Sequence, residues 1–388
     1  MKFAIAGNGN SGQSAYRFLI SRNQKVEILD DKNKNLKPEI IAKFDIVILS
    51  PGIPRNHPAV LFAIMIGIPI WNEIELAISF LKKSCFIGVT GSNGKSTTVA
   101  LLGHILKLLG SNVFIGGNFG IPLCNIFEIS DKIGDIKYII LELSSFQLET
   151  ISSLYLDIAI LLNLSPNHMD RYSTLNEYYA AKLKIFNFLK SSNGKITFPG
   201  NLLLDNFKSA KKIFGDHNNQ NINAAIMSAK LLDVPNDVIQ EGLNTFSGLS
   251  HRLEILGYKK GVCWVNDSKA TTVDSVVSAL RCFDHGVHLI LGGVGKGVDY
   301  SLLIDAAGNC VRNVYLIGNE ALNIEKAFNE NSNIKSFLSI TLENAVHLAS
   351  KLSNPGDTIL LSPACASYDQ FINFEHRGNA FKELFRAF

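Results

Sequence analysis

A chain of 388 residues is long enough for two or three domains, each with its own core. Its 47% hydrophobic and 18% charged residues describe a folded globular protein and exclude a disordered one. A formal net charge of +3 is too small at this length to suggest nucleic-acid binding, which needs a concentrated basic patch.

The chain opens on MKFAIAGNGNSG, in which a predicted strand, Lys2–Ala6, runs straight into a glycine loop; this is not the pattern of a signal peptide. Gly7, Gly9 and Gly12 form GxGxxG after that strand, and Asp30 ends the next, Lys25–Leu29. On spacing alone this is a dinucleotide fingerprint, with an acid placed for a ribose hydroxyl. It leaves an NAD-dependent dehydrogenase open, although a lone GxGxxG is weak and nothing downstream suggests a hydride-transfer site. A third strand, Asp45–Leu49, leads into Ser50-Pro51-Gly52. The longest uncharged apolar run, Ala59 to Trp71, holds 13 residues including Pro69, too few to span a bilayer. Asn72–Leu81 reads as a connecting helix.

A second unit opens with strand Cys85–Thr90, then TGSNGKST, Thr90 to Thr97, then a helix from Lys95 to about Leu109. Strand, glycine loop, Lys-Ser and helix in register make a phosphate-binding device. Gly91, Ser92, Asn93 and Gly94 can turn backbone N–H groups toward an anion, and the helix N-terminus adds its positive dipole end. Lys95 can reach β- and γ-phosphates; Ser96, followed by Thr97, can offer a hydroxyl to Mg²⁺. Val89 stands where the general phosphate-loop motif has its first glycine. Strand Tyr138–Leu143 should present Glu142 at its C-terminal end, as a Mg²⁺ ligand or as a solvated strand end. After strand Asp157–Leu162, His168 lies in the polar loop LNLSPNHMDRY, either structural or facing metal or substrate. In the predicted helix Leu175–Leu189, Lys182 is by pattern an ordinary helix lysine. Asn218 and Asn221 share a face of a helix over Asn218–Leu232, suited to an adenine edge or phosphate, or to capping by Asn218.

A third unit begins near Leu249, with strands Val262–Asn266, His288–Leu291, Val314–Ile317 and Thr358–Leu361. Arg252 suits a phosphate, and Asp267, ending a strand, suits a ribose. Lys269 and Thr271 lie in the following loop. Lys296, in LGGVGKG, follows a strand where a carboxylate could dock. The last motif, SPACASYDQFINFEHRGNAF from Ser362 to Phe381, supplies Ser367 and Phe374. Alternating strands and helices argue for α/β architecture with mostly parallel sheets, divided near 1–73, 74–248 and 249–388. Six scattered cysteines without a CxxC pair read as small apolar residues of a reducing compartment.

TGSNGKST and SPACASYDQFINFEHRGNAF together resemble the Mur ligase family of bacterial cell-wall synthesis. The resemblance runs from the first strand to the last helix, with one shortened region. It implies three domains: an N-terminal Rossmann-like UDP-binding domain, a central ATPase-like parallel sheet that is shortened here, and a C-terminal Rossmann-like domain for the amino acid. It implies ATP-driven addition of D-glutamate to UDP-N-acetylmuramoyl-L-alanine through an acyl phosphate, in a cytoplasmic, monomeric protein without membrane insertion. Asn10, Ser11, Asp30, Ser50, Pro51, Gly52 and Asn118 would hold the UDP-sugar. The phosphate loop with Asn218, Asn221, Arg252 and Asp267 would hold ATP. Lys269, Thr271, Lys296, Ser367 and Phe374 would meet D-glutamate. Ser96, Glu142, His168 and a carbamylated Lys182 would hold two Mg²⁺ ions, with Lys95 at the transferring phosphoryl. Lys32 stands where many members carry an arginine, keeping the charge without the bidentate fork. Only 34 residues separate Lys182 from His217, where relatives usually carry a longer segment. That shortening motivates one alternative, a catalytically impaired nucleotide-binding relative. Another is a ligase like folylpolyglutamate synthetase, against which the first-unit loops and the C-terminal motif argue.

Overall fold

The computed structural model describes residues 1–81, 84–165, 172, 174–190, 194–197, 207, 216–295 and 297–388. They fall into two compact units, the first from described residues between Met1 and Phe246, the second covering Ser247–Phe388.

The first unit holds two parallel sheets. Strands β1 (Lys2–Ala6), β2 (Lys25–Leu29), β3 (Ile46–Leu49) and β4 (Ile70–Trp71) stand in the order β2-β1-β3-β4. The near-continuous apolar runs of β1 and β3 are buried, as expected of parallel strands covered on both faces. Helix Asn10–Ser21 crosses β1 so closely that a Cβ on Gly12 would meet the Gly7 carbonyl, which is why the fingerprint needs glycine there. Helix Glu73–Ile78 then starts from an Asn72/Glu75 capping box.

Strands β5 (Cys85–Thr90), β6 (Val113–Gly117), β7 (Tyr138–Glu142), β8 (Ile158–Leu161) and β9 (Lys195–Thr197) form the second sheet, in the order β6-β7-β5-β8-β9. Strand β5 is central, so the loop after it emerges between the ends of β7 and β8, the usual place for a ligand in an open α/β sheet. The two sheets share one hydrophobic cluster, in which Ile5, Phe18 and Ile48 join Phe86, Phe114, Ile139 and Leu141.

The second unit is built on β10 (Glu254–Lys259), β11 (Val262–Asn266), β12 (Val287–Gly292), β13 (Val311–Ile317), β14 (Lys335–Ile340) and β15 (Thr358–Leu361), ordered β10-β11-β15-β12-β13-β14. Strands β10 and β11 pair antiparallel, while β11–β15, β15–β12, β12–β13 and β13–β14 are parallel. Apolar clusters cover both faces, one around Leu289, Val314 and Phe328, the other around Trp264, Tyr315 and Phe381.

Strands β4, β6, β9, β10 and β14 escaped the sequence reading. EILGYK and KSFLSI lie on the edges of the third sheet, where polar residues interrupt the apolar pattern. The helix expected over Leu175–Leu189 is α-helical only for Leu175–Leu183 and continues as a 3₁₀ turn, Lys184–Phe188. Ile185 and Phe188 both bury there, three residues apart, which matches the 3₁₀ repeat. Among the described residues, no helix is long and apolar enough to cross a membrane.

Candidate active site

The phosphate loop leaves β5 at Thr90, whose hydroxyl donates to the Leu143 carbonyl at 2.8 Å. Gly91 and Gly94 adopt φ of +151° and +83°, which side-chain-bearing residues rarely adopt. Gly94 caps helix Lys95–Leu108. A Cβ on Gly94 would collide with Asn221 Oδ1, so the loop presses directly against the amide of that helix residue. Residues after β8 hold the loop from its other side. The Ser92 N–H donates to the Asn163 carbonyl at 3.0 Å. The Asn93 N–H donates to Asn163 Oδ1 at 2.9 Å. Ser92 Oγ donates to the Ser165 carbonyl at 2.9 Å and lies 3.1 Å from Tyr178 Oη.

Two buried residues meet beneath this loop. Ser96 Oγ donates to Glu142 Oε2 at 2.7 Å, and Asn118 Nδ2 donates to Glu142 Oε1 at 2.8 Å. The hydroxyl comes from the first turn of the helix after β5, the carboxylate from the end of β7. This all-oxygen pair, at a helix N-terminus, is the donor chemistry that Mg²⁺ prefers. Lys182 is buried nearby. Its Nζ donates to the Gly91 carbonyl at 2.9 Å and lies 4.7 Å from the centre of the Tyr178 ring. Burial, then repulsion from Lys95, pulls its ammonium down to about 7, with Glu142 opposing the shift. An amine titrating there is neutral in a substantial fraction of molecules near neutrality, and the neutral form is the nucleophile. Asn221 Nδ2 donates to Asn218 Oδ1 at 2.8 Å, while the buried Asn221 Oδ1 has no hydrogen-bond partner among the described residues. An orphaned buried acceptor against a phosphate loop is ready for a donor from a ligand.

The glycine loop of the first sheet is tied to Asp30. Its carboxylate accepts the N–H groups of Lys32 (2.9 Å) and Asn8 (2.8 Å), and these bonds hold it below the usual carboxylate range. Ser50 Oγ donates to the Gly7 carbonyl at 3.1 Å. Asn10, Pro51 and Gly52 are exposed, and Ser11 is half-buried. Asp30 therefore shapes the loop that the exposed residues line.

In the second unit, Asp267 is buried and accepts from Ser362 Oγ (2.7 Å) and the Leu253 N–H (3.1 Å). Burial pushes its carboxyl up to about 7. Arg252, next to Leu253, lies on the same turn and is half-buried, as is Thr271. Lys269 Nζ sits 4.9 Å from the Phe374 ring centre. Ser367 is buried, and its carbonyl accepts the Phe371 N–H at 2.9 Å. His168 and Lys296 lie outside the described residues.

Sequence reasoning passed over Asn163, Ser165, Tyr178 and Arg377. The first two sit at the end of the strand beside β5, a position that should itself have marked them. Arg377, inside the EHRG of the last motif, is buried, and its guanidinium donates to Ser268 Oγ (3.0 Å), the Ser268 carbonyl (2.9 Å) and the Cys365 carbonyl (3.1 Å). It thereby joins the loop of Lys269 and Thr271 to the loop of Ser367.

Residues 89–202 match the Mur ligase middle domain, and residues 251–365 match the Mur ligase glutamate ligase domain. The chain is 35% identical to the UDP-N-acetylmuramoylalanine–D-glutamate ligase of Koribacter versatilis, over 98% of this chain and 96% of that protein. It is also 35% identical to the enzyme of the same name from Myxococcus xanthus, over 100% and 98%. The first of these alignments runs to 443 positions against a chain of 388, so the relative carries residues that this chain lacks. Two solved structures from Thermotoga maritima share the fold. The UDP-N-acetylmuramate-alanine ligase MurC aligns with a TM-score of 0.63 at 18% identity, over 100% of this chain and 99% of that one. The MurF ligase in complex with ADP aligns with a TM-score of 0.63 at 17% identity, over 100% and 95%. With kinship this extensive in sequence and a phosphate loop built over a buried carboxylate and lysine, the chain belongs to the Mur ligase family, among the UDP-N-acetylmuramoylalanine–D-glutamate ligases.

Proposed function

We propose that this protein is an ATP-dependent ligase that joins D-glutamate to UDP-N-acetylmuramoyl-L-alanine in peptidoglycan precursor synthesis. The observation that carries this reading is the convergence of Lys95, Ser96, Glu142 and Lys182 at the ends of β5 and β7. A carboxylate is a poor electrophile, so the alanyl carboxylate must first be activated. Its oxygen takes the γ-phosphoryl group from ATP, giving an acyl phosphate and ADP. The amine of D-glutamate then attacks the carbonyl carbon, the tetrahedral intermediate collapses, phosphate leaves and the nitrogen loses a proton.

Lys95 lies at the mouth of the loop, where its charge would meet the transferring phosphoryl. Ser96, Glu142, His168 and Lys182 would hold Mg²⁺, two ions in all, which would neutralise phosphate and carboxylate charge. For Lys182 this requires carbamylation. The neutral amine attacks CO₂, releases a proton and becomes an anion able to face a cation, as the ammonium is not. Asn10, Ser11, Asp30, Ser50, Pro51, Gly52 and Asn118 are assigned to the UDP-sugar. Asn218, Asn221, Arg252 and Asp267 are assigned to ATP, and Lys269, Thr271, Lys296, Ser367 and Phe374 to D-glutamate. The protein is taken to act as a cytoplasmic monomer.

The test is phosphate release from ATP and Mg²⁺ with UDP-N-acetylmuramoyl-L-alanine, comparing D-glutamate, L-glutamate and no amino acid. Release that needs both the sugar nucleotide and D-glutamate establishes the ligase. No release from folded, ATP-binding protein supplied with bicarbonate rejects it.

A further inference from the structure

Helix Pro58–Met65 in the first unit is apolar all round. It buries Ala59, Val60 and Ala63 against the first sheet. On its other side Leu61, Ile64 and Met65 are 51%, 47% and 72% exposed, and Ile66, just past the helix, is 44% exposed. Positions 61, 64 and 65 are spaced i, i+3, i+4, so these three side chains form one stripe. A surface helix normally turns charged residues to water. Here no Asp, Glu, Lys or Arg occurs between Arg55 and Glu73. A contiguous apolar surface of this kind marks an interaction site.

The surroundings say what would cover it. The helix packs against helix Pro38–Ile41, and Lys34, Lys37, Lys43 and Arg55, all exposed, lie on the segments that flank this pair. Three acids share these segments: Asp31, which faces His57 Nε2 at 3.2 Å, Asp45, which accepts the Lys2 N–H at 2.7 Å and keeps its charge, and Glu39, which is exposed. Residues 1–72 carry nine Lys and Arg against five Asp and Glu, a net +4, more than the +3 of the whole chain. A second copy meeting this face about a two-fold axis would bring like charges together. An anionic bilayer surface satisfies both features, taking the apolar stripe at its headgroup–acyl boundary and the lysines at its phosphates.

We propose that the stripe Leu61, Ile64, Met65, Ile66, with its flanking basic residues, docks this protein peripherally on an anionic lipid surface. The contact is interfacial: a two-turn helix lies in the headgroup region and does not span it.

The experiment is co-sedimentation of the full chain with vesicles of phosphatidylcholine alone, or of equal parts phosphatidylcholine and phosphatidylglycerol. Two variants accompany it, Leu61→Ser/Ile64→Ser/Met65→Ser and Lys34→Glu/Lys37→Glu/Lys43→Glu. The expected result is binding to the anionic vesicles at least about tenfold above the neutral ones, reduced in about 0.5 M salt. Each variant should lose that binding by at least about tenfold while its thermal midpoint stays near that of the parent. Because the charge variant alters only exposed side chains, it keeps the test alive should the serine variant unfold. Absence of binding by the parent chain, or equal binding by both variants, overturns the proposal. So does a dimer, seen by light scattering, that the serine variant abolishes, because a second copy would then be the occupant.

Discussion

The ammonium groups of Lys182 and Lys95 donate to the same carbonyl oxygen, that of Gly91, at 2.9 and 2.7 Å. Burial disfavours the charge on Lys182, and repulsion from Lys95 on the same acceptor disfavours it further. We expect the ligation rate to fall in carbonate-depleted buffer and to recover on adding bicarbonate. Lys182→Met should lower kcat by at least about a hundredfold, as removal of transition-state electrostatics does, while ATP affinity changes only a few-fold. Phosphate-release kinetics with and without bicarbonate check both. A parent rate indifferent to bicarbonate would count against the carbamate.

Gly94 caps the phosphate-loop helix at φ +83°, with no room for a Cβ beside Asn221. Gly94→Ala combines a left-handed backbone cost of about 1–2 kcal/mol with displacement of Asn221. ATP affinity, measured by calorimetry, should drop at least about tenfold. Gly110, also at positive φ (+68°) but with open space where a Cβ would sit, serves as the control, since Gly110→Ala carries the backbone cost alone and should leave ATP affinity unchanged.

Arg377 is buried, and burial draws its guanidinium down to about 10. A lysine keeps the charge but cannot reach Ser268 Oγ, the Ser268 carbonyl and the Cys365 carbonyl together. Arg377→Lys should cost about 2–4 kcal/mol of unfolding free energy and raise KM for D-glutamate more than it lowers kcat. Arg386, which is exposed and pairs with Glu383, offers the contrast: Arg386→Lys should stay within about 0.5 kcal/mol of the parent. Denaturant titration and D-glutamate saturation curves measure these effects.

Glu73 begins the helix between the first two sheets and accepts the Cys124 N–H. Burial pushes its carboxyl up to about 7. The folded protein therefore keeps a proton that the unfolded chain sheds above about pH 4.5. Its contribution to stability is fully present below that pH, declines as pH rises toward 7, and stays lost above. The slope can reach about 1.4 kcal/mol per pH unit. Glu73→Gln keeps the acceptor oxygen and removes the proton. Its unfolding free energy should vary less between pH 5 and pH 7 than that of the parent, as read from urea midpoints. Parallel profiles for the two proteins would remove Glu73 as the cause.

What could be read from the sequence was whatever depends on local spacing. TGSNGKST specifies its strand, loop and helix because glycine conformations and Lys-Ser order are set within eight residues. Strands β1, β2, β5, β11 and β15 lie where the apolar runs put them. Burial of Lys182 was not legible, since it depends on Tyr178 and Gly91 arriving from other elements. Asp30 was legible as an acid ending a strand, but the two backbone N–H groups of its own neighbourhood that its carboxylate accepts were not. Arg377 was invisible for a related reason: apart from Ser268 Oγ its partners are carbonyls, and a carbonyl leaves no trace in a residue's identity.

Strand β15 stands at the centre of the third sheet, between β11 and β12, although every other strand of that sheet precedes it in the chain. During synthesis the sheet therefore waits, in two halves, for Thr358–Leu361 to leave the ribosome. The β10–β11 hairpin can form early, but both β11 and β12 keep an unpaired apolar edge until then. A nascent chain stalled before Thr358 would expose two adhesive edges, making this unit the part of the protein with most need of a chaperone.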